Sequence, residues 1–296
     1  MTGMVQYGML RQSFLNGFMA KSDGCMRVFP GMSAYSVWGL MLLLGVLSSQ
    51  LAWSKGPVAI NQMPSAGHQQ PPTTVDGAAE AAAECVILLH GLARSDASMS
   101  RMQSSLEEAG YRAINISYPS RQHSIDQLAE KAVAQGLARC DQADTVSFVT
   151  HSMGGILVRQ YLSLNTIDNL KHVVMLGPPN QGSEVVDQLG DFPGFELFNG
   201  PAGMQLGTGE MSVPNKLGPA NFSLGIIAGT KTINLMLSQI LPKPNDGKVS
   251  VNSTRLEGMS DHLAMPVTHT FMMSDKQVIQ QVLHFLQAGR FYHPES

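Results

Sequence analysis

The chain has 296 residues, of which 44% are apolar and 14% charged, with a formal net charge of −3. That length accommodates one sizeable α/β domain or two small ones. A near-neutral chain without a block of like charge gives no basis for a nucleic-acid partner, and no Cys/His cluster has zinc-ligand spacing.

Between Arg27 and Lys55 no residue is charged, and Val37 to Leu47 is continuously apolar. The stretch ends in the small-x-small run Ala52-Trp53-Ser54. A basic flank, an apolar run and such an end make a secretory signal sequence. An uncleaved anchor is the alternative, since a membrane span needs about 20 apolar residues. Ser48, Ser49 and Gln50 interrupt the run and favour the signal. Residues 1–54 are therefore expected to be a leader that exports the chain to the periplasm or the medium. Membrane association through residues 28–54 stays open. The leader is long, and initiation at Met26 would give it ordinary length. No Leu-x-x-Cys pattern marks a lipid-anchored cysteine. Residues 55–84, rich in Pro, Gln, Thr and Ala, read as a linker.

A domain over 85–296 begins at Cys85. Val86 to Leu89 is a short apolar run, as in a strand buried on both faces. Ser98 to Ala109 is helical, with Met99, Met102 and Leu106 on one side and Gly110 closing it. Arg112 to Tyr118 reads as a second strand. Ser124-Ile125-Asp126-Gln127 resembles a capping box, followed at helical spacing by Leu128, Ala132, Val133 and Leu137. Thr145 to Thr150 is a third strand, Ile156 to Leu164 a helix, His172 to Leu176 a fourth strand, and Phe222 to Ala228 holds a fifth. Ser274-Asp275-Lys276-Gln277 opens a last helix with Val278, Ile279, Val282, Leu283 and Leu286 inward. Alternating strands and helices with short connections demand a doubly wound, mostly parallel α/β sheet with helices on both faces. Residues 178–221 break the rhythm and read as a cap or lid-like insertion.

The strongest chemical signal is Thr150-His151-Ser152-Met153-Gly154-Gly155, set between an apolar strand and a helix. There a serine at a sharp turn projects its hydroxyl above the sheet, so Ser152 is the expected nucleophile. Thr150 stands where glycine is usual. His90-Gly91 ends the first strand, and backbone N–H groups of Leu92 and Met153 are the candidate donors to an oxyanion. His90 itself reads as structural. A serine needs a base, and the base an orienting carboxylate. In the chain order Ser, acid, His, the acids after Ser152 include Asp187, Asp191, Asp246, Asp261 and Asp275. Asp246, followed by Gly247 on a loop, is preferred. His269, just before the last helix, is preferred over His262, which would then line the pocket or pair with Asp261. Cys85 and Cys140, left alone in an oxidising compartment, are either a disulfide or two buried thiols.

The runs VILLHG, THSMGG, GPPNQGS, NDGKVSV and HTFMM, in this order over residues 85–292, resemble the α/β-hydrolase lipases and esterases of bacteria. The resemblance implies a compact α/β-hydrolase fold, a triad of Ser152, Asp246 and His269, and an oxyanion hole at Leu92 and Met153. It also brings Cys85 and Cys140 to one edge of the sheet, which favours the disulfide. The expected reaction is hydrolysis of an ester or lipid substrate by a monomer without cofactor. An acyltransferase or amidase acting on a cell-envelope lipid or peptide would use the same triad, and a non-catalytic envelope binding module is the remaining alternative.

Overall fold

The computed structural model describes residues 84–293; the expected leader and the linker up to residue 83 lie outside the described residues. Among the described residues no helix is long and apolar enough to cross a membrane. Six strands form one sheet in the order β2-β1-β3-β4-β5-β6. They are β1 (Cys85–Leu89), β2 (Arg112–Ile116), β3 (Val146–His151), β4 (Leu170–Leu176), β5 (Leu224–Gly229) and β6 (Asp261–Met265). Every pairing is parallel. All residues of β1, β3 and β5 are buried, which is why β1 reads as an unbroken apolar run rather than an alternating one, while β3 also buries the polar Ser147, Thr150 and His151.

Alternate strand residues enter two separate cores. Cys85, Ile87, Leu89 and Phe148 pack with α2 (Ile125–Arg139) and α3 (Met153–Leu162) on one face. Val86, Leu88, Val149 and Val174 pack with α1 (Ser100–Glu108) and α9 (Lys276–Ala288) on the other. Each fully buried aliphatic or aromatic side chain of these cores contributes roughly 1.5–3 kcal/mol of transfer free energy. The helical stripes sit as their spacing predicts: Met99, Met102 and Leu106 are buried, as are Ile125, Leu128, Ala132 and Val133. In α9 Phe285 is fully buried and Leu283 only partly, so the inward face is rotated slightly from the one expected.

Neither expected capping box forms. The Ser124 hydroxyl accepts no hydrogen bond at the start of α2; instead Ile125 N–H donates to Gln205 Oε1 of the 178–221 segment, 2.7 Å away. At α9 the cap is Asp275, one residue later than expected, with Oδ1 accepting from Gln277 N and Val278 N. A tertiary partner in the first case, and a charged acceptor in the second, serve the orphan amides better than a serine.

Cys85 and Cys140 are joined in a disulfide, with Cα atoms 5.8 Å apart. It ties the start of β1 to the residue that closes α2.

The 178–221 segment carries three short helices, α4 (Glu184–Leu189), α5 (Phe195–Met204, kinked at Gly200) and α6 (Val213–Lys216). It lies over the carboxyl ends of the strands, since α5 meets the loops after β1 and β2. Cβ atoms at Gly203 and Gly200 would stand 3.0 Å from Leu92 Cδ2 and 1.9 Å from the Arg121 carbonyl oxygen. Arg159 on α3 anchors the segment from below. Its buried guanidinium donates to Asn180 O and Oδ1 and to the carbonyls of Pro214 and Gly218, at 2.9–3.2 Å. Burial lowers its pKa to about 10, so it stays charged at neutral pH with carbonyl dipoles as its counter-charge. Arg159→Met is expected to lower stability by about 3 kcal/mol, the scale of lost hydrogen bonds to a buried charge. Urea unfolding checks this, and an unchanged midpoint would contradict it.

Candidate active site

The sheet reverses its winding at β1, since β2 lies on one side of it and β3 on the other. In open parallel sheets the crevice at such a reversal, beyond the strand carboxyl ends, receives ligands. The loops after β1 and β3 meet there. β3 ends at His151, and α3 begins at Met153, leaving Ser152 alone to turn the chain. It does so at φ 53° and ψ −122°, a conformation that costs a side-chain-bearing residue about 1–3 kcal/mol and persists only where its surroundings impose it. Ser152 N–H donates to the Leu176 carbonyl at the tip of β4, at 2.8 Å. A Cβ at Gly154 would stand 2.6 Å from the Leu89 carbonyl oxygen, so only glycine lets α3 rise this close to β1. Thr150, fully buried in place of the usual glycine, is accommodated by Gly155, whose Cβ would lie 3.3 Å from Thr150 Oγ1.

Asp246 and His269 stand on separate loops joined twice. His269 N–H donates to the Asp246 carbonyl at 3.1 Å, and His269 Nδ1 lies 2.7 Å from Asp246 Oδ2. Asp246 Oδ1 accepts from the amides of Lys248 and Val249 at 2.9 and 2.8 Å. The carboxylate is thereby fixed, and it sets the imidazole tautomer: Nδ1 carries the proton and Nε2 is a free acceptor. Both residues are buried. A Cβ at Gly177, directly after Leu176, would be 3.1 Å from both Asp246 Oδ2 and His269 Nδ1. The pair therefore meets the Ser152 turn at the tip of β4. Ser152 Oγ and His269 Nε2 have no hydrogen-bond partner among the described residues, each other included. Catalytic hydrogen bonds often close only around substrate.

The amides of Leu92 and Met153 are likewise without a partner among the described residues. Met153 N–H is the first orphan donor of α3. The loop carrying Leu92 is pinned on its far side, where Ala93, at φ 55°, donates its amide to Ser120 Oγ at 3.0 Å. The five residues singled out in the sequence thus converge at the ends of β1, β3 and β4.

His90 and His262 are structural. His90 stacks on Tyr118, with ring centroids 3.9 Å apart; its Nδ1 donates to the Gly91 carbonyl and its Nε2 accepts from Tyr118 N–H. His262 belongs to β6, a short edge strand that lacks an apolar run and was not anticipated. Its imidazole meets Thr254 Oγ1 at 2.9 Å, and only its backbone amide reaches Asp261. It neither lines the pocket nor pairs with Asp261 through its ring.

One residue without an assigned role from sequence is His151. It is fully buried beside Ser152, and its Nε2 donates to the His269 carbonyl at 3.0 Å. It braces the His269 loop from the end of β3. Burial, then the neighbouring His269, push its pKa well below the ordinary value, so it is a neutral prop. Burial also lowers His90, and takes His262 down to about 4. For a base whose folded pKa lies below its unfolded one, the unfolded chain binds more protons in between, so stability is lost as the pH falls. Stability is expected to be level above about pH 7 and to fall from about 6.5 toward 4, by at most roughly 1.4 kcal/mol per pH unit for each histidine. Urea midpoints at pH 7.5 and 5.0 measure this, and equal midpoints would contradict it.

Two solved structures of the Bacillus licheniformis lipase BlEst2 superpose on the chain. The mature form gives a TM-score of 0.54 at 19% identity, covering 70% of this chain and 93% of that one. The propeptide form gives 0.56 at 19% identity, covering 73% and 53%. The chain has the α/β-hydrolase fold. No protein-family model and no curated protein matches the sequence. Among the described residues the sheet has six parallel strands, of which β1 comes first in the chain.

Proposed function

We propose that the protein is a serine hydrolase that cleaves carboxylic esters through an acyl-enzyme. The observation that carries this is Ser152 held at positive φ on the strand-to-helix turn, beside an imidazole whose Nδ1 is bound by Asp246 and whose Nε2 is free. His269 Nε2 takes the Ser152 proton as Oγ attacks the ester carbonyl. The Leu92 and Met153 amides receive the oxygen that turns negative, and Asp246 stabilises the imidazolium. His269 then passes its proton to the departing alkoxide, which leaves as the alcohol. Water attacks the acyl-enzyme, again losing a proton to His269, and the acid departs as Ser152 regains its hydrogen.

A greasy acyl group is supported by exposed apolar side chains on the insertion, Leu197 and Met211, and on the segment after β5, Ile233 and Leu235, the latter opening α7 (Leu235–Ile240). The fold shared with a lipase agrees with this reading. The Cys85–Cys140 disulfide supports work in an oxidising compartment, reached through the apolar N-terminal stretch. Nitrophenyl esters from acetate to dodecanoate test the proposal. Turnover rising toward chains of medium length is expected, and no turnover of any ester, with no acyl-enzyme mass shift, would refute it.

A further inference from the structure

Beside the oxyanion loop lies a cavity of about 390 Å³, lined by Ala93, Arg94, Tyr118, Pro119, Ser120, Arg121, Gln122 and Leu197. Two of these side chains are cationic and none is acidic. Neither guanidinium forms an ion pair or a hydrogen bond among the described residues, where the ion pairs involve only Arg112, Lys171, His269 and His293 as cations. Asp96, two residues beyond Arg94, makes no ion pair with it. Arg94 is half-buried, and desolvation lowers its pKa from the ordinary value without a carboxylate to offset the cost. A third cation, Lys248, follows Asp246 in the chain and is near enough to Arg94 for the two charges to repel. Asp246 partly offsets the charge of Lys248, whereas neither Arg94 nor Arg121 has an ion-pair partner among the described residues, although partly desolvated cations are ordinarily paired.

The placement of the cavity gives it a purpose. Leu92, whose amide faces the expected oxyanion, is separated from Arg94 by one residue. Ala93 is fixed between them by its bond to Ser120, itself a lining residue. An ester whose carbonyl oxygen sat at the Leu92 amide would have one arm within reach of the cavity. We infer that this cavity is an anion subsite, in which Arg94 and Arg121 bind a phosphate or carboxylate carried by the ester substrate. Guanidinium forks match both anions with paired N–H donors, whereas a neutral acyl or alcohol arm would leave them unmatched. Apolar Leu197 at the rim suits the hydrocarbon that links such an anion to the ester. The inference rests on the ester-hydrolase reading above.

The test compares matched esters that differ only in charge. Dihexanoyl phosphatidate is set against dihexanoylglycerol for phosphate, and nitrophenyl hydrogen glutarate against its methyl ester for carboxylate. The readout is the ratio of kcat/KM for the anionic over the neutral member, in the wild type, Arg94→Gln and Arg121→Gln. In at least one pair Arg94→Gln should lower this ratio about tenfold, which is about 1.4 kcal/mol, and Arg121→Gln, more exposed, several-fold. A fall confined to the first pair assigns a phosphate, and one confined to the second a carboxylate. Turnover of both pairs with ratios equal in all three proteins would overturn the inference and leave the hydrolase reading intact. If the wild type cleaves no ester, the hydrolase reading fails, and inorganic phosphate and hexyl phosphate then decide the cavity alone. A rise in Tm with either ligand that Arg94→Gln abolishes supports an anion site, and no rise overturns it.

Discussion

Ser152→Ala is expected to lower ester turnover by roughly 10⁴- to 10⁶-fold, as removal of a triad nucleophile does elsewhere. The loss should fall on kcat, because the alcohol is the attacking atom and not a binding contact. Folding should be nearly unaffected, since alanine at φ 53° carries the same backbone strain as serine. Ser152→Gly separates chemistry from strain. It should be equally inactive yet more stable by about 1 kcal/mol, because glycine adopts this region without cost. Nitrophenyl ester kinetics and urea midpoints on both variants measure the two effects. An active Ser152→Ala protein would remove the nucleophile from the account. A Ser152→Gly protein less stable than wild type would show that the turn is not strained.

Loss of the disulfide is the largest stability change expected. Cys85 and Cys140 close a loop with a sequence separation of 55. Constraint of the unfolded chain by such a loop is worth about 4 kcal/mol in the chain-entropy picture, against a total of roughly 5–15 kcal/mol for an ordinary domain. The Cys85→Ala, Cys140→Ala double variant should therefore lose about a quarter or more of the folding free energy. Since both cysteines are buried, reductant should act on the native protein only as it unfolds. Urea titration of the oxidised protein and the double variant checks the first point. A difference below about 1 kcal/mol would contradict the loop-closure argument.

The parallel core strands were readable because strands buried on both faces leave mostly apolar runs, unbroken in Val86 to Leu89 and interrupted only by Ser147 in Val146 to Val149. The edge strand β6 was not. Asp261-His262-Leu263-Ala264-Met265 is only partly buried along most of its length, so its composition resembles a loop. The short helices within 178–221 were also hidden, because their packing on Leu92, Arg121 and Arg159 is tertiary and leaves no helical period in the sequence. Ser152, Asp246 and His269, which the fold brings to neighbouring strand ends, were singled out by chain order and local context. The role of His151 was not, since it depends on a carbonyl more than a hundred residues away. Nor were the unpaired cations at Arg94 and Arg121, because an ion pair that fails to form is visible only in three dimensions. Thr150, which weakens the motif as a pattern, is explained by packing: Gly155 makes the room that a glycine at 150 would otherwise supply.

The most direct test of the central claim is covalent labelling of the wild-type protein with a fluorophosphonate at pH 7.5, with the adduct located by peptide mass spectrometry. Such probes react only with a serine whose hydroxyl is activated by a neighbouring base. The account predicts a single adduct on the peptide containing Ser152, absent in Ser152→Ala and greatly slowed in His269→Ala. No adduct, or an adduct on another serine while Ser152 stays unmodified, would contradict it.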